Sequence, residues 1–510
     1  MITRRTFVLG AAAFPTIVHG ATAARSKTVD TTVGRLRGSV EAGLQVFRGI
    51  RYGIAERFRA PAPPMASVQI IDALSFGPSA PQKNDRYKPQ SEDCLYLNVW
   101  TPEARRGANL PVMVYIHGGA YSTGSVVDPL NDGRHLAGNG VVAVTVNHRL
   151  NALGYLYLAR LDPRFPDSGN VGQLDLILAL KWIRDNIASF GGDPSRVMVF
   201  GQSGGGAKIA TMMGMSAAAG LFNRAVTMSG QQVTASGPLH ATERTRAYLA
   251  KLNATPSDLL SMPVEKLVAA LDATDPIMGG GVYFGPVLDM KWLTRHPFWP
   301  DANPQSNAIP MILGNTHDET RAFIPREKMA GLTWSNLAAR MGPELKIDIL
   351  PEWVVSEYRR LFPAYSPEQV FYAATTAGRS WRGQVEEAEA RAKAGTPTWV
   401  YQVDFPSPTE PWRGAPHTMD IALSFGTLDA PGSFTGTGAG ARAASEAMMR
   451  SFMAFAATGN PNHAGLPSWP VYRLPQRGTM IFESESHIEN DPRREQRELF
   501  ARVPYIQPGT

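Results

Sequence analysis

The stretch Phe190-Gly-Gly-Asp-Pro-Ser-Arg-Val-Met-Val-Phe-Gly-Gln-Ser-Gly-Gly205 constrains this chain more than any other. An apolar run, Arg196 to Phe200, leads straight into Gly201-Gln202-Ser203-Gly204-Gly205, and a glycine-rich helix is expected to follow. A strand that ends in G-x-S-x-G and turns at once into a helix is a nucleophile elbow. Glycines on both sides of Ser203 let the chain reverse sharply and let neighbouring backbones come close. The turn lifts the serine hydroxyl to where a histidine and a substrate carbonyl can reach it. The motif alone is short enough to arise by chance. The rest of the chain must therefore supply a base, an acid and donors for an oxyanion.

The surrounding pattern supports that context. Apolar runs of strand length stand at Pro111–Ile116, Val141–Val146, Arg196–Phe200 and Ala225–Met228, with later ones at Pro310–Leu313 and Thr398–Val403. Between the second and third, Gly172–Ile187 carries apolar residues at helical spacing. Near-continuous apolar strands alternating with amphipathic helices indicate an α/β fold, a large and mostly parallel sheet covered on both faces. Alternating residues from Thr31 to Tyr52 predict small antiparallel strands ahead of it. Pro-punctuated helical stretches at about 240–300 and 325–395 read as insertions packed on one domain, 24–510, and not as further domains. The chain has 510 residues, 44% of them hydrophobic and 18% charged, and no low-complexity linker or internal repeat interrupts it.

The first 23 residues read as an export signal. Arg4-Arg5 is followed by a short, weakly apolar stretch and a small-residue exit, Ala21-Thr22-Ala23. This is the layout of a bacterial twin-arginine signal and places the mature protein in the periplasm or outside the cell. The apolar stretch is too short to leave a membrane anchor behind. Of the formal charge of +6, two units leave with Arg4 and Arg5, and no dense Lys/Arg stripe remains. A nucleic-acid partner is therefore not expected. The single cysteine, Cys94, allows no intrachain disulfide. The oligomeric state is not legible.

Serine attack on a carbonyl needs a general base. Of ten histidines, His19 leaves with the signal and His117 follows a strand in Ile116-His-Gly-Gly-Ala120. His135, His148, His240, His296, His463 and His487 lack neighbours that suggest a special turn, and read as packing or surface residues. His317 comes too early in the chain for the base. His417, in Trp412-Arg-Gly-Ala-Pro-His-Thr-Met-Asp420, lies on a Gly/Pro-marked loop after a predicted strand, where a sheet's carboxyl edge projects residues into a site. Spacing alone leaves His417 undecided. The acid belongs between Ser203 and His417 in chain order, and Leu313-Gly-Asn-Thr-His-Asp-Glu-Thr320 offers both Asp318 and Glu319. No zinc-type spacing and no nucleotide-binding glycine loop is present, so neither metal nor organic cofactor is called for.

At this point the chain resembles the type-B carboxylesterase family, which includes cholinesterases and lipases. Two signature stretches match: Phe190 to Gly205, and Glu92-Asp-Cys-Leu-Tyr-Leu-Asn-Val-Trp-Thr-Pro102. Supporting matches run nearly end to end, among them Phe47–Tyr52, Asn147–Leu150, Gly169–Gly172 and Phe455–Pro461. The resemblance implies an α/β-hydrolase fold and hydrolysis of small carboxylic esters. It implies Ser203 as nucleophile, His417 as base, and Glu319, in the Gly-x-x-x-Asp-Glu pattern, as acid. Its glycine motif falls on His117–Tyr121, which makes the amides of Gly119, Ala120 and Gly204 the oxyanion donors. It also implies a bracing Arg57–Glu92 ion pair.

The chain departs from the family pattern in four places. Ala80 stands where many members have a cysteine paired with the equivalent of Cys94, which leaves Cys94 as a small buried apolar group. Thr320 and Thr418 stand where glycine is common, and Gly204 replaces alanine after the nucleophile. These changes are expected to touch pocket shape more than chemistry. The same three side chains serve amides and carbamates, so those substrates stay open. A non-catalytic adhesion or hormone-precursor relative would lack at least one of them. Among the later tryptophans, Trp292, Trp299, Trp334, Trp353, Trp381 and Trp412 read individually as packing groups, though some could line an apolar gorge.

Overall fold

A computed structural model describes residues 24–507 and 509; the expected export signal lies outside the described residues. The described chain forms one continuous sheet built from β1 (Ala24–Thr31), β2 (Gly34–Glu41), β3 (Leu44–Arg51), β4 (Ile71–Asp72), β5 (Tyr96–Thr101), β6 (Leu110–Ile116), β7 (Val142–Val146), β8 (Gly192–Gln202), β9 (Arg224–Met228), β10 (Met311–Thr316), β11 (Thr398–Val403), β12 (Gly478–Phe482) and β13 (His487–Asn490). The order across it is β1-β2-β3-β5-β7-β6-β8-β9-β10-β11-β12-β13, with β4 beside β2. From β7 to β12 every neighbouring pair is parallel, while β1, β2, β3 and β5 form an antiparallel margin and β13 closes the far edge antiparallel.

Both faces are buried, as the near-continuous apolar runs require. In β6, Val112, Val114 and Ile116 point to one apolar layer, and Met113 and Tyr115 to the other. The first layer is closed by helices Val171–Asn186 and Gly204–Met212, through Ile177, Leu180, Ile183 and Ile209. The second is closed by helix Ala439–Thr458, through Ala444, Met448, Phe452 and Phe455. Each fully buried Val, Leu, Ile or Phe contributes about 1.5–3 kcal/mol, so the two layers together drive sheet formation.

The two insertions each gather an apolar cluster of their own. Tyr248, Leu259, Leu267 and Phe284 pack on Leu153 and Phe165, while Leu337, Met341, Tyr358 and Phe371 pack on Phe500. Helix Arg382–Lys393 ties the second insertion to β10 and β11. Strand ends differ from expectation in an instructive way. β10 runs past Leu313 to Thr316, because the polar Asn315 and Thr316 find a carboxylate partner at the strand's carboxyl end. β12 and β13 were not expected from the pattern, being short and following a Pro-rich stretch.

Candidate active site

Four loops meet at the carboxyl edge of the parallel strands, after β6, β8, β10 and β11. Strand β8 is held between β6 and β9 and ends at Gln202. Ser203 then takes φ 55° and ψ −126°, a conformation costly for a residue with a side chain, by about 1–3 kcal/mol. The surroundings enforce it: the Ser203 N–H donates to Met228 O at 2.7 Å, and the Ser203 carbonyl accepts from Ala207 N at 3.0 Å. Close packing forces two glycines. A Cβ on Gly205 would lie 1.9 Å from Ile116 O, and one on Gly204 would lie 1.9 Å from Ala120 O. Ser203 is half-buried, and its hydroxyl makes no hydrogen bond among the described residues.

The loop after β6 curls over the start of helix Gly204–Met212. Gly119 and Ala120 adopt φ 88° and 52°, and the Gly119 carbonyl accepts from Ser122 N and Thr123 N at 3.1 and 3.0 Å. Among the described residues the N–H groups of Gly119, Ala120 and Gly204 meet no protein acceptor. Three free donors beside Ser203 form the kind of cradle that receives a developing oxyanion. The neighbouring His117 is no rival base. Burial, helped by the charge of Lys208, pushes its imidazole down to about 3, so it stays neutral.

The loops after β10 and β11 bring carboxylate and imidazole together. Glu319 Oε2 meets His417 Nδ1 at short hydrogen-bond range. Its Oε1 accepts from the Ser229 hydroxyl at 2.6 Å, Thr316 N at 2.8 Å and Asn315 Nδ2 at 3.2 Å. Burial alone would push the Glu319 carboxyl up; His417, Ser229 and Thr316 outweigh it and hold the group below its ordinary range, so it is ionised. The other ring nitrogen, His417 Nε2, faces the elbow, 3.1 Å from the side-chain amide of Gln202. With Nδ1–H given to Glu319, Nε2 carries the lone pair that a proton-accepting base needs. The ring of Phe323 packs on His417 with centroids 4.8 Å apart.

Asp318 points elsewhere. Its Oδ2 accepts from His317 Nδ1 and Ala415 N, both at 3.1 Å, and thereby pins the loop that carries His417. The structure thus joins Glu319, and not Asp318, to His417. The bracing contact expected outside the site is present: Arg57 Nε donates to Glu92 Oε2 at 2.7 Å, and the same guanidinium also holds Leu259 O and Met262 O.

The departures in sequence acquire physical reasons. Thr320 O–H lies 2.9 Å from the hydroxyls of both Thr375 and Thr376, locking the turn that carries Glu319 to helix Pro367–Thr376. Thr418 takes φ 79°, the left-handed region where glycine is preferred and a β-branched residue is strained. Cys94 is free and buried, as expected. The loop lacking a disulfide is held by Gln82 instead, whose amide donates to Gly124 O at 3.0 Å while its carbonyl accepts from Gly124 N at 2.9 Å. Gln202, Ser229 and Phe323 escaped the sequence reading; Ser229 could have been found as the residue that follows β9 at the same sheet edge.

A cavity of about 230 Å³ opens beside the elbow, lined by Gly118, Gly119, Gln202, Thr418, Tyr87 and Phe434. None of the six tryptophans lines it. Trp381 is buried beneath Arg493, Trp292 donates to Asp167, and Trp299 and Trp334 lie on the surface.

Residues 25–500 match the carboxylesterase family profile. The para-nitrobenzyl esterase of Bacillus subtilis is 33% identical over 92% of this chain and 97% of its own length. The fumonisin B1 esterase of Sphingopyxis macrogoltabida is 32% identical, over 93% and 89%. The solved carboxylesterase EST55 of Geobacillus stearothermophilus superposes with a TM-score of 0.83 at 34% identity, covering 93% of this chain and 99% of that one. The chain is therefore a carboxylic ester hydrolase of the α/β-hydrolase fold and belongs to the carboxylesterase family.

Proposed function

We propose that the protein hydrolyses esters through a covalent acyl-enzyme formed on Ser203. The observation that carries this reading is the line from Glu319 through His417 to the elbow, with three free amides beside it. Ser203 Oγ attacks the ester carbonyl while His417 Nε2 takes its proton. The amides of Gly119, Ala120 and Gly204 receive the oxyanion, each worth about 3–4 kcal/mol of barrier. Collapse expels the alcohol, protonated by His417, and leaves Ser203 acylated. Water, deprotonated by the same imidazole, then releases the acid. Ionised Glu319 fixes the tautomer and stabilises the imidazolium of each step.

Ser203→Ala should abolish turnover of a simple aryl ester while leaving the unfolding temperature unchanged. An aryl phosphonate should add a single phosphonyl mass, located on Ser203 by peptide mapping. Normal turnover in the alanine variant, or labelling elsewhere, would overturn the assignment. Parallel assays with the matching anilide and carbamate test the leaving group, because an amine must be protonated more fully than an alcohol before it departs. Faster anilide than ester turnover would make the protein an amidase in practice. We also propose that it works outside the cytoplasm, on the strength of Arg4-Arg5 and Ala21-Thr22-Ala23.

A further inference from the structure

One buried cation near the site takes no part in the mechanism above. Lys208 lies on helix Gly204–Met212, five residues after Ser203, and its side chain is 0% exposed. Among the described residues it has no ion pair. Its ammonium donates to Ala120 O at 2.8 Å and to His117 O at 3.3 Å, and it sits over the Tyr121 ring, 5.3 Å from the centroid. Its acceptors are thus backbone carbonyls of the loop that carries the free amides of Gly119 and Ala120. Desolvation is the only strong influence on the group and pulls it down to about 7.

An ammonium without a counter-ion is an expensive way to fill an apolar site. A methionine would occupy the same volume without that cost. The hydrogens of Lys208 therefore matter more than its bulk. A second observation points to the same two residues. Ala120 holds a left-handed φ of 52°, unfavourable for alanine, and its carbonyl passes so near the elbow that a Cβ at position 204 would lie 1.9 Å from the oxygen. Gly204, the departure from the family's alanine, leaves room for that carbonyl, and Lys208 holds it. With the carbonyl of Ala120 drawn toward the helix, the amides of Gly119 and Ala120 meet no protein acceptor among the described residues.

We propose that Lys208 is a positioning residue: by holding the carbonyls of His117 and Ala120 it keeps the Gly119 and Ala120 amides aimed at the substrate oxyanion, and Gly204 is the partner that makes the arrangement possible. This rests on the reading of Ser203 and the three amides given above. It assigns Lys208 no contact with substrate.

The test uses Lys208→Met, Lys208→Arg and Gly204→Ala in the full-length protein. Lys208→Met should lower kcat on an aryl ester by about tenfold to a thousandfold, within the range for damage to an oxyanion site. KM should change little, and the unfolding temperature should hold or rise. Inactivation by an aryl phosphonate should slow in parallel, since its P–O⁻ uses the same amides. Lys208→Arg, which still donates, should recover part of the loss. A wild-type kcat in Lys208→Met overturns the proposal, as does a loss of stability with kcat per folded molecule unchanged. If Lys208→Met does not fold, Gly204→Ala decides. Its Cβ displaces the Ala120 carbonyl, so kcat must fall with KM nearly constant, and a wild-type kcat there overturns the proposal equally. Ser203→Ala separates the two levels: turnover surviving in that variant removes the site reading itself, whereas a dead Ser203→Ala beside a fully active Lys208→Met removes only the role of Lys208.

Discussion

Asp318 and Glu319 stand one peptide apart and face different histidines: Glu319 reaches His417, while Asp318 reaches His317 and the amide of Ala415. The two carboxylates are therefore separable by mutation. On the proposed mechanism, Glu319→Gln removes the charge that steadies the imidazolium and presents an amide to Nδ1, so kcat should fall by about 10³–10⁴. Asp318→Asn keeps an acceptor for Ala415 N and should cost mainly stability, about 1–2 kcal/mol. Steady-state kinetics on both, with thermal melts, check this. A larger kcat loss in Asp318→Asn would reverse the assignment.

Gln202 offers a second test, because its amide lies against His417 Nε2. A carboxylate in its place would favour a proton on that nitrogen. Gln202→Glu should accordingly move the acid limb of the kcat/KM profile to higher pH by about one unit. An unmoved acid limb would mean that the group titrating there is not His417.

Much of this site was legible in the sequence, for physical reasons that particular residues make plain. The Ser203 elbow is local chemistry, written in contiguous glycines whose absent Cβ atoms are each demanded by a nearby carbonyl. The strands from β6 to β11 were visible because burial on both faces needs unbroken apolar runs. His417 and Glu319 were harder to choose. Position along the chain left Asp318 and Glu319 equivalent, and only the resemblance to a family preferred Glu319; the choice depends on how β10 ends, with Asn315 and Thr316 feeding hydrogen bonds to one carboxylate. Gln82 replacing a disulfide, and Lys208 reaching back under the 117–121 loop, join residues far apart in sequence and leave no local pattern.

Asp420 gives a pH-dependent stability prediction. It is buried, accepts from Tyr401 O–H at 3.1 Å, and its other oxygen meets no hydrogen-bond partner among the described residues. Burial, then the negative charge of Glu319, push its carboxyl up to about 7. A group raised above its unfolded value stabilises most fully at low pH, and that contribution is lost as pH rises through the folded value. Between about pH 4 and 7 this loss is as much as about 1.4 kcal/mol per unit. Asp420→Asn keeps the acceptor for Tyr401 but cannot ionise. Its stability relative to wild type should therefore improve from pH 5 to about pH 7 in denaturant titrations and level off above that. A constant difference across that range would refute the assignment.

Thr418 is strained at φ 79°, immediately after His417. Thr418→Gly removes a Cβ from a left-handed position and should relieve about 1 kcal/mol of strain. The gain is offset in part by the greater freedom of glycine in the unfolded chain. Unfolding free energy should therefore change by less than about 1 kcal/mol. The freed peptide should let His417 wander, so kcat should drop modestly with KM unchanged. A large fall in stability would show that the threonine side chain carries packing.

The last prediction concerns where the enzyme works. The motivating residues are Arg4-Arg5, the short apolar run after them and Ala21-Thr22-Ala23. A twin-arginine address is read by a receptor and not as charge alone, so Arg4→Lys with Arg5→Lys should keep the charge and lose the export. Expressed in a bacterium with that pathway, the unaltered chain should appear outside the cytoplasm and begin near Ala24. The Lys-Lys variant should accumulate inside at full length. Its ester turnover, once purified, should equal that of the exported protein, since the address lies ahead of β1 and far in sequence from the site. N-terminal sequencing and fractionation measure both halves. A full-length chain starting at Met1 in the soluble cytoplasmic fraction, with Arg4 and Arg5 intact, would refute export. An exported Lys-Lys variant would instead show that a different secretion route reads the same segment.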